Sequence, residues 1–189
     1  MQVLAGKYRG KHLQSSNSPK VRPTARRLRE SLFEILGAQV EGASVLDLCA
    51  GSGAVGIEAL SRGASFVTFV DHSRRMCALI RMNLEICGVA DAQAEIVQSD
   101  CLPFLKRPLE RNGRTWDVIF FDPPYSTDYI PVLITLSSRK IIRRTGAVLV
   151  VEHERSKELP EDLGQLRRSQ IVSQGESSLS FYTGRASAI

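Results

Sequence analysis

Val45-Leu46-Asp47-Leu48-Cys49-Ala50-Gly51-Ser52-Gly53-Ala54-Val55-Gly56 holds a strand, a glycine turn and the opening of a helix in twelve residues. The apolar run Val45–Leu48 predicts the strand, and Ile57 and Leu60 beyond the glycines predict the helix. Gly51, Gly53 and Gly56 satisfy G-x-G-x-x-G, a pattern whose bare backbone lets a ligand come close. The same alternation continues downstream. Phe66–Val70, Ala94–Val97, Trp116–Phe121 and Ala147–Val151 read as strands. Helices are predicted over about 73–87, with Cys77, Ile80 and Leu84 in phase, near 101–110 and over about 128–143. Continuously apolar strands alternating with helices predict a parallel sheet covered on both faces. Gln170–Ser173 and Leu179–Tyr182, separated by Gln174-Gly175-Glu176, break the rhythm and predict an antiparallel hairpin at the sheet edge. The expected fold is therefore α/β, with a mostly parallel seven-stranded sheet.

Upstream of this pattern the chain changes character. Lys7, Arg9, Lys11, Lys20, Arg22, Arg26, Arg27 and Arg29 face Glu30 alone within the first thirty residues, while the remainder is nearly balanced at 17 basic and 19 acidic. Gln2–Leu4 and His12–Leu13 read as short extended pieces around turns at Gly6 and Gly10, and Ser15–Pro19 as a loop. Thr24 reads as the N-cap of a helix with Leu28, Leu32, Ile35 and Leu36 on one face and Gly37 at its end. The division expected is a basic extension and helix over 1–40, packed on a ligand-binding domain over 41–189. One patch of basic charge suggests phosphate contacts with nucleic acid, and a solvated arm is the plainer alternative.

Composition narrows the class. At 189 residues, with 43% hydrophobic and 24% charged residues, the chain suits one globular core. No apolar run approaches the roughly 20 residues that span a bilayer, and the N-terminus lacks a secretory apolar core, so a cytoplasmic protein is expected. Cys49, Cys77, Cys87 and Cys101 form no C-x-x-C pair, and His12, His72 and His153 share no ligand spacing, so no metal is expected.

Acidic residues at the strand ends carry the chemistry. Asp71 lies 20 residues beyond Gly51, where a carboxylate binds a ribose diol. Taken alone, that fits NAD or another adenosine cofactor. Asp47 would repel a pyrophosphate, whereas it favours a cofactor bearing an ammonium and a sulfonium, as S-adenosylmethionine does. Asp100 is placed to accept the adenine amino group, or simply to cap the next helix. Asp122-Pro123-Pro124-Tyr125 ends the fourth strand abruptly, because neither proline has a backbone N–H. Asp122 and the Pro123 carbonyl can accept both hydrogens of an amino group while Tyr125 stacks on the attached base. A buried core role is the alternative for Tyr125. A carboxylate with an ordinary pKa near 4 is a weak base, so orientation of the amine is the main role expected of Asp122.

With these motifs in order, the chain resembles a Rossmann-like class I methyltransferase acting on an exocyclic amine. Gly6-Lys7-Tyr8-Arg9-Gly10-Lys11 and Arg22-Pro23-Thr24-Ala25-Arg26-Arg27-Leu28-Arg29-Glu30-Ser31-Leu32-Phe33 are similar to segments of the bacterial RsmD family. The resemblance runs from about residue 3 to the strand ending at Tyr182. It implies methylation of a guanine N2 amine in small-subunit (16S) ribosomal RNA, free or in an assembling 30S particle, by a monomer using S-adenosylmethionine. The implied cofactor site takes in Asp47, Ala50, Gly51, Ser52, Gly53, Asp71, His72, Asp100, Cys101 and Asp122. The catalytic turn is Asp122, Pro123, Pro124 and Tyr125, and the RNA contacts are Lys7, Arg9, Lys11, Arg22, Arg26 and Arg29. Cys49 departs from the aromatic or other apolar residue common in that family. Methylation of DNA adenine or a protein glutamine remains an alternative, as does a nucleotide-binding module without chemistry.

Overall fold

The continuously apolar strands pair with one another in a single sheet. They are β1 (Ser44–Leu48), β2 (Phe66–Asp71), β3 (Ala94–Gln98), β4 (Val118–Phe121), β5 (Val148–Glu154), β6 (Leu166–Gln174) and β7 (Ser177–Gly184). Their order is β3-β2-β1-β4-β5-β7-β6, with the first five parallel and β7 antiparallel to both β5 and β6. This is the seven-stranded α/β arrangement expected, seen in a computed structural model that describes residues 1–15, 23–107, 115–138 and 146–184. Strand order reverses between β1 and β4, and such a switch point leaves a crevice at the carboxyl ends of the strands.

Alternation along each strand loads both faces of the sheet. Phe69, Phe120 and Val150 belong to one core cluster with Leu28, Leu32, Ile57 and Ile80, while Leu46, Ile119 and Phe121 join another with Leu105 and Leu133. Helices α1 (Pro23–Leu36), α2 (Ala54–Ser61) and α3 (Arg74–Cys87) thus cover the first face, and α4 (Cys101–Lys106) and α5 (Ile130–Ser138) the second. No helix among the described residues is long and apolar enough to cross a membrane. Helix α1 begins at Pro23, one residue before the expected cap, because proline lacks only an N–H that the first turn leaves unpaired. The expected Ser15–Pro19 loop, except Ser15, and the far ends of the helices after β3 and β4 fall outside the described residues. Strand β6 is longer than its apolar pattern predicts, since Arg167, Arg168 and Ser169 lie on an exposed edge strand where alternation is not required.

The N-terminal extension is packed into the domain. Val3, Tyr8 and Leu13 are buried in the first core cluster, and Gln2 bridges His12 in antiparallel fashion. Buried Glu58 of α2 accepts the N–H of Leu4 at 2.7 Å and of Ala5 at 3.0 Å, and pairs with Arg62 at 2.9 Å. Gly6 has φ +79°, and a Cβ there would fall 1.8 Å from the Ser61 carbonyl oxygen. Glycine is the residue that this approach admits. Gly56 is as tightly constrained, since its Cβ would meet the Phe69 ring at 2.3 Å. That glycine brings α2 close to β2.

Candidate active site

The carboxyl ends of β1, β2, β4 and β5 meet at one rim. Asp47, on β1, is 2% exposed, and its Oδ2 accepts the Gly56 N–H at 2.9 Å. Burial holds its carboxyl well above the usual range against the pull of that hydrogen bond, and the charges of Asp122 and Asp71 add to the shift. After Leu48 the chain turns through Cys49 at φ +61°, the one non-glycine with positive φ among the described residues. The glycine turn is then closed by hydrogen bonds from Ala50 N–H to the Val70 carbonyl at 3.0 Å and Gly53 N–H to the Ala50 carbonyl at 2.8 Å. Asp71 completes it, accepting Gly51 N–H at 2.9 Å through Oδ2 and Ser73 N–H at 2.8 Å through Oδ1. Each oxygen keeps a second lone pair for a ligand hydroxyl.

Asn83 is a part of this frame that sequence reasoning missed. Fully buried, it accepts Gln14 N–H at 2.8 Å and donates to the carbonyls of Gln14 at 3.0 Å and Ser52 at 2.9 Å. A polar residue in an otherwise amphipathic helix was the signal available. At the outer edge, His72 is exposed with Nδ1 3.8 Å from Asp71 Oδ1. Asp100 starts α4 through its backbone carbonyl, which accepts Phe104 N–H at 3.0 Å, while its exposed side chain makes no capping bond. Cys101 follows, with Sγ 3.2 Å from Cys49 Sγ.

Register places the acidic corner. Phe121 pairs with Val151, so Asp122 and Glu152 come next on neighbouring strands, and alternation sends both to the face of Phe120 and Val150. Both line a cavity of about 230 Å³, together with Asp47, Cys49, Ala50, Gly51 and Ser52. Helix α1 supplies the opposite wall through Leu28, Arg29 and Leu32. Burial pushes the Asp122 carboxyl up to about 7, and burial followed by the Asp122 charge pushes Glu152 up to about 8. The pair thus loses its protons in two steps that belong to the two carboxyls together. Among the described residues, no hydrogen bond or ion pair engages either carboxyl. Glu152 was not foreseen, although an acid directly after an apolar strand is the signature that singled out Asp122.

The turn after β4 is rigid. Pro123 is buried and Pro124 exposed, and Lys157 Nζ donates to the carbonyls of Tyr125 at 3.2 Å and Thr127 at 2.9 Å. The Tyr125 hydroxyl bonds Ser177 Oγ, and the residue stays 39% exposed. It is not a core aromatic. Tyr129 takes that place at 2% exposure, edge-on to Phe121.

The basic residues divide. Lys7, Arg9, Lys11 and Arg26 are exposed, Arg26 paired with Glu30 at 3.0 Å, and Arg22 lies outside the described residues. Arg29 is placed differently from an exposed phosphate contact. It is 8% exposed, its Nη2 donates to the Gln2 carbonyl at 2.7 Å, and its buried Nε has no partner among the described residues. Arg29 and buried Asp47 both line one cavity, and a ligand carrying both a carboxylate and an ammonium matches their charges. Among the described residues, no cluster of three or more His, Cys, Asp or Glu could hold a metal.

Comparison with known proteins follows the same lines. A family model described as Conserved hypothetical protein 95 matches residues 1–183. Ribosomal RNA small subunit methyltransferase D of Haemophilus influenzae is 35% identical, over 84% of this chain and 81% of that protein. The solved structure of the Thermus hypothetical protein TTHA0928 superposes with a TM-score of 0.80 at 28% identity, covering 96% of this chain and 98% of that one. SMU.776, solved in complex with SAH, shares the fold at a TM-score of 0.70 and 18% identity, over 86% of this chain and 50% of that one.

Proposed function

The chain belongs to the family described as Conserved hypothetical protein 95, the RsmD family, and on that premise we propose that it methylates the N2 amine of a guanine in small-subunit ribosomal RNA, using S-adenosylmethionine. The observation that carries the reading is the half-buried Asp122 carboxyl, which lines the cavity at the end of β4, directly before Pro123, and has no partner among the described residues. A relative of known name, ribosomal RNA small subunit methyltransferase D, and a fold neighbour holding SAH support it.

When bound, the cofactor supplies an electrophilic methyl group on a sulfonium sulfur. Asp47 takes its ammonium and Arg29 its carboxylate. Ala50, Gly51, Ser52 and Gly53 offer close backbone, Asp71 takes the ribose diol and Asp100 the adenine amine, with His72 and Cys101 framing the outer edge.

A guanine N2 amine is a poor nucleophile, because its lone pair is delocalised into the ring. Asp122 and the Pro123 carbonyl each accept one N–H and hold the nitrogen so that its lone pair is freed toward the methyl-bearing side. Burial that lifts Asp122 to about 7 also makes it a better proton acceptor than an ordinary carboxylate. Pro124 stiffens the turn, and the exposed Tyr125 ring stacks on the base. Such a site admits only an unpaired or flipped-out base. The exposed Lys7, Arg9, Lys11 and Arg26 contact phosphates around it, and a ribosomal substrate agrees with a cytoplasmic protein.

The test is direct. Unmodified small-subunit RNA, free and as partly assembled particles, is incubated with the protein and the cofactor, then digested to nucleosides and analysed by mass. N2-methylguanosine is expected. Methyl groups on adenosine or on protein glutamine instead overturn the reading.

A further inference from the structure

Two carboxyls side by side in one cavity need a ligand that matches both. Asp122 and Glu152 follow the paired residues Phe121 and Val151, and neither side chain has a partner among the described residues. Strand β7 fixes Glu152 from the other side, where it pairs with Leu179. Two half-buried acceptors lining one cavity are best satisfied by a ligand that brings adjacent donors to both. Among the standard bases, guanine carries two neighbouring donors beside each other, N1–H and the N2 amine. The amine of adenine or cytosine is flanked instead by a ring-nitrogen lone pair, and that of a glutamine by its own carbonyl oxygen. A second carboxyl, once ionised, repels each of those.

Resting on the function proposed above, we infer that Glu152 is the specificity-determining residue of the site, accepting the N1–H of the guanine whose N2 amine is held by Asp122. The acidic corner then reads one continuous donor edge. Flipped bases are commonly identified by their Watson–Crick edge, so the placement suits the chemistry. Glu152 selects the base, while Asp122 and Pro123 position the reacting atom.

The experiment uses RNA carrying guanine or 2-aminopurine at the position where mapping locates the methyl group. The second base keeps the amine and replaces N1–H with a lone pair. Both bases are assayed at one mildly alkaline pH, below the range in which guanine N1 itself loses its proton. Wild type is expected to favour guanine in kcat/KM by roughly ten- to a hundredfold, the scale of one good base-edge contact. Glu152→Gln is expected to bring that ratio at least about tenfold nearer to one, because an amide can turn either its oxygen or its N–H toward N1. A second readout needs no turnover. 2-Aminopurine fluorescence measures binding without the cofactor, and the Gln variant should bind the 2-aminopurine RNA more tightly than wild type does. An unchanged ratio in the variant, or an equal loss on both bases, overturns the inference while guanine methylation by wild type stands. No methyl on the guanine amine with wild type removes the parent reading, and this one with it.

Discussion

The Sγ atoms of Cys49 and Cys101 stand 3.2 Å apart, joining the turn after β1 to the first residue of α4. Their shared hydrogen bond raises the Cys49 thiol and lowers that of Cys101, so Cys101 ionises first. Burial raises Cys77 and Cys87. Because the thiolate is the reactive form, iodoacetamide should label Cys101 ahead of the other three, and bound cofactor should slow it. Mass mapping of a labelling time course checks this, and labelling of Cys77 at the same rate contradicts it.

Stability should fall as pH rises from about 4 to about 8. Asp122 and Glu152 hold protons to about 7 and about 8 when folded, whereas unfolded carboxyls release theirs near 4. Across that interval the folded state binds more protons than the unfolded chain, so each pH unit weakens it by up to ~1.4 kcal/mol per group. Asp122→Asn or Glu152→Gln removes one such group and should flatten the slope. Urea unfolding at several pH values measures it, and a variant slope as steep as wild type refutes the assignment.

Asp122→Ala should lower methyl transfer by on the order of a hundredfold or more, the scale of losing one charge-stabilising contact. Cofactor affinity by calorimetry should change little. Retained turnover rules Asp122 out as the group that orients the amine.

Arg29 and the exposed basic residues should separate cleanly. Arg29→Gln is expected to weaken cofactor binding and leave the salt dependence of RNA binding unchanged. Neutralising Lys7, Arg9 and Lys11 together should do the reverse, reducing the slope of log K against log salt by ~0.7 for each lost contact on single-stranded RNA. Identical behaviour of the two variants would show that Arg29 is a phosphate contact after all.

Glu58→Ala should destabilise the protein by about 3 kcal/mol, since it leaves the N–H groups of Leu4 and Ala5 without an acceptor. The loss should appear as a lower urea midpoint. An effect below about 1 kcal/mol means that the N-terminal turn is held by its apolar contacts alone.

How much of this was legible in the sequence depended on the kind of interaction. Strands such as Val118–Phe121 were readable because burial on both faces demands uninterrupted apolar residues. Asp47, Gly51, Asp71 and Asp122 were readable because each stands at a strand end or in a turn. Asn83 and Glu58 were not, since their backbone partners lie 31 to 69 residues away and no local pattern records a bond to a distant backbone group. Arg29 shows the limit most plainly. Its charge resembled that of Arg26, and only the packing of α1 against the crevice sets the two apart.

Those distant bonds also set an order of events during synthesis. The turn around Gly6 finds its acceptors on α2, and Gln14 finds its own on α3. Both helices are translated more than fifty residues later. The first-made stretch must therefore wait, undocked, until the middle of the polypeptide has left the exit tunnel, and it fastens onto a nascent domain that is already taking shape.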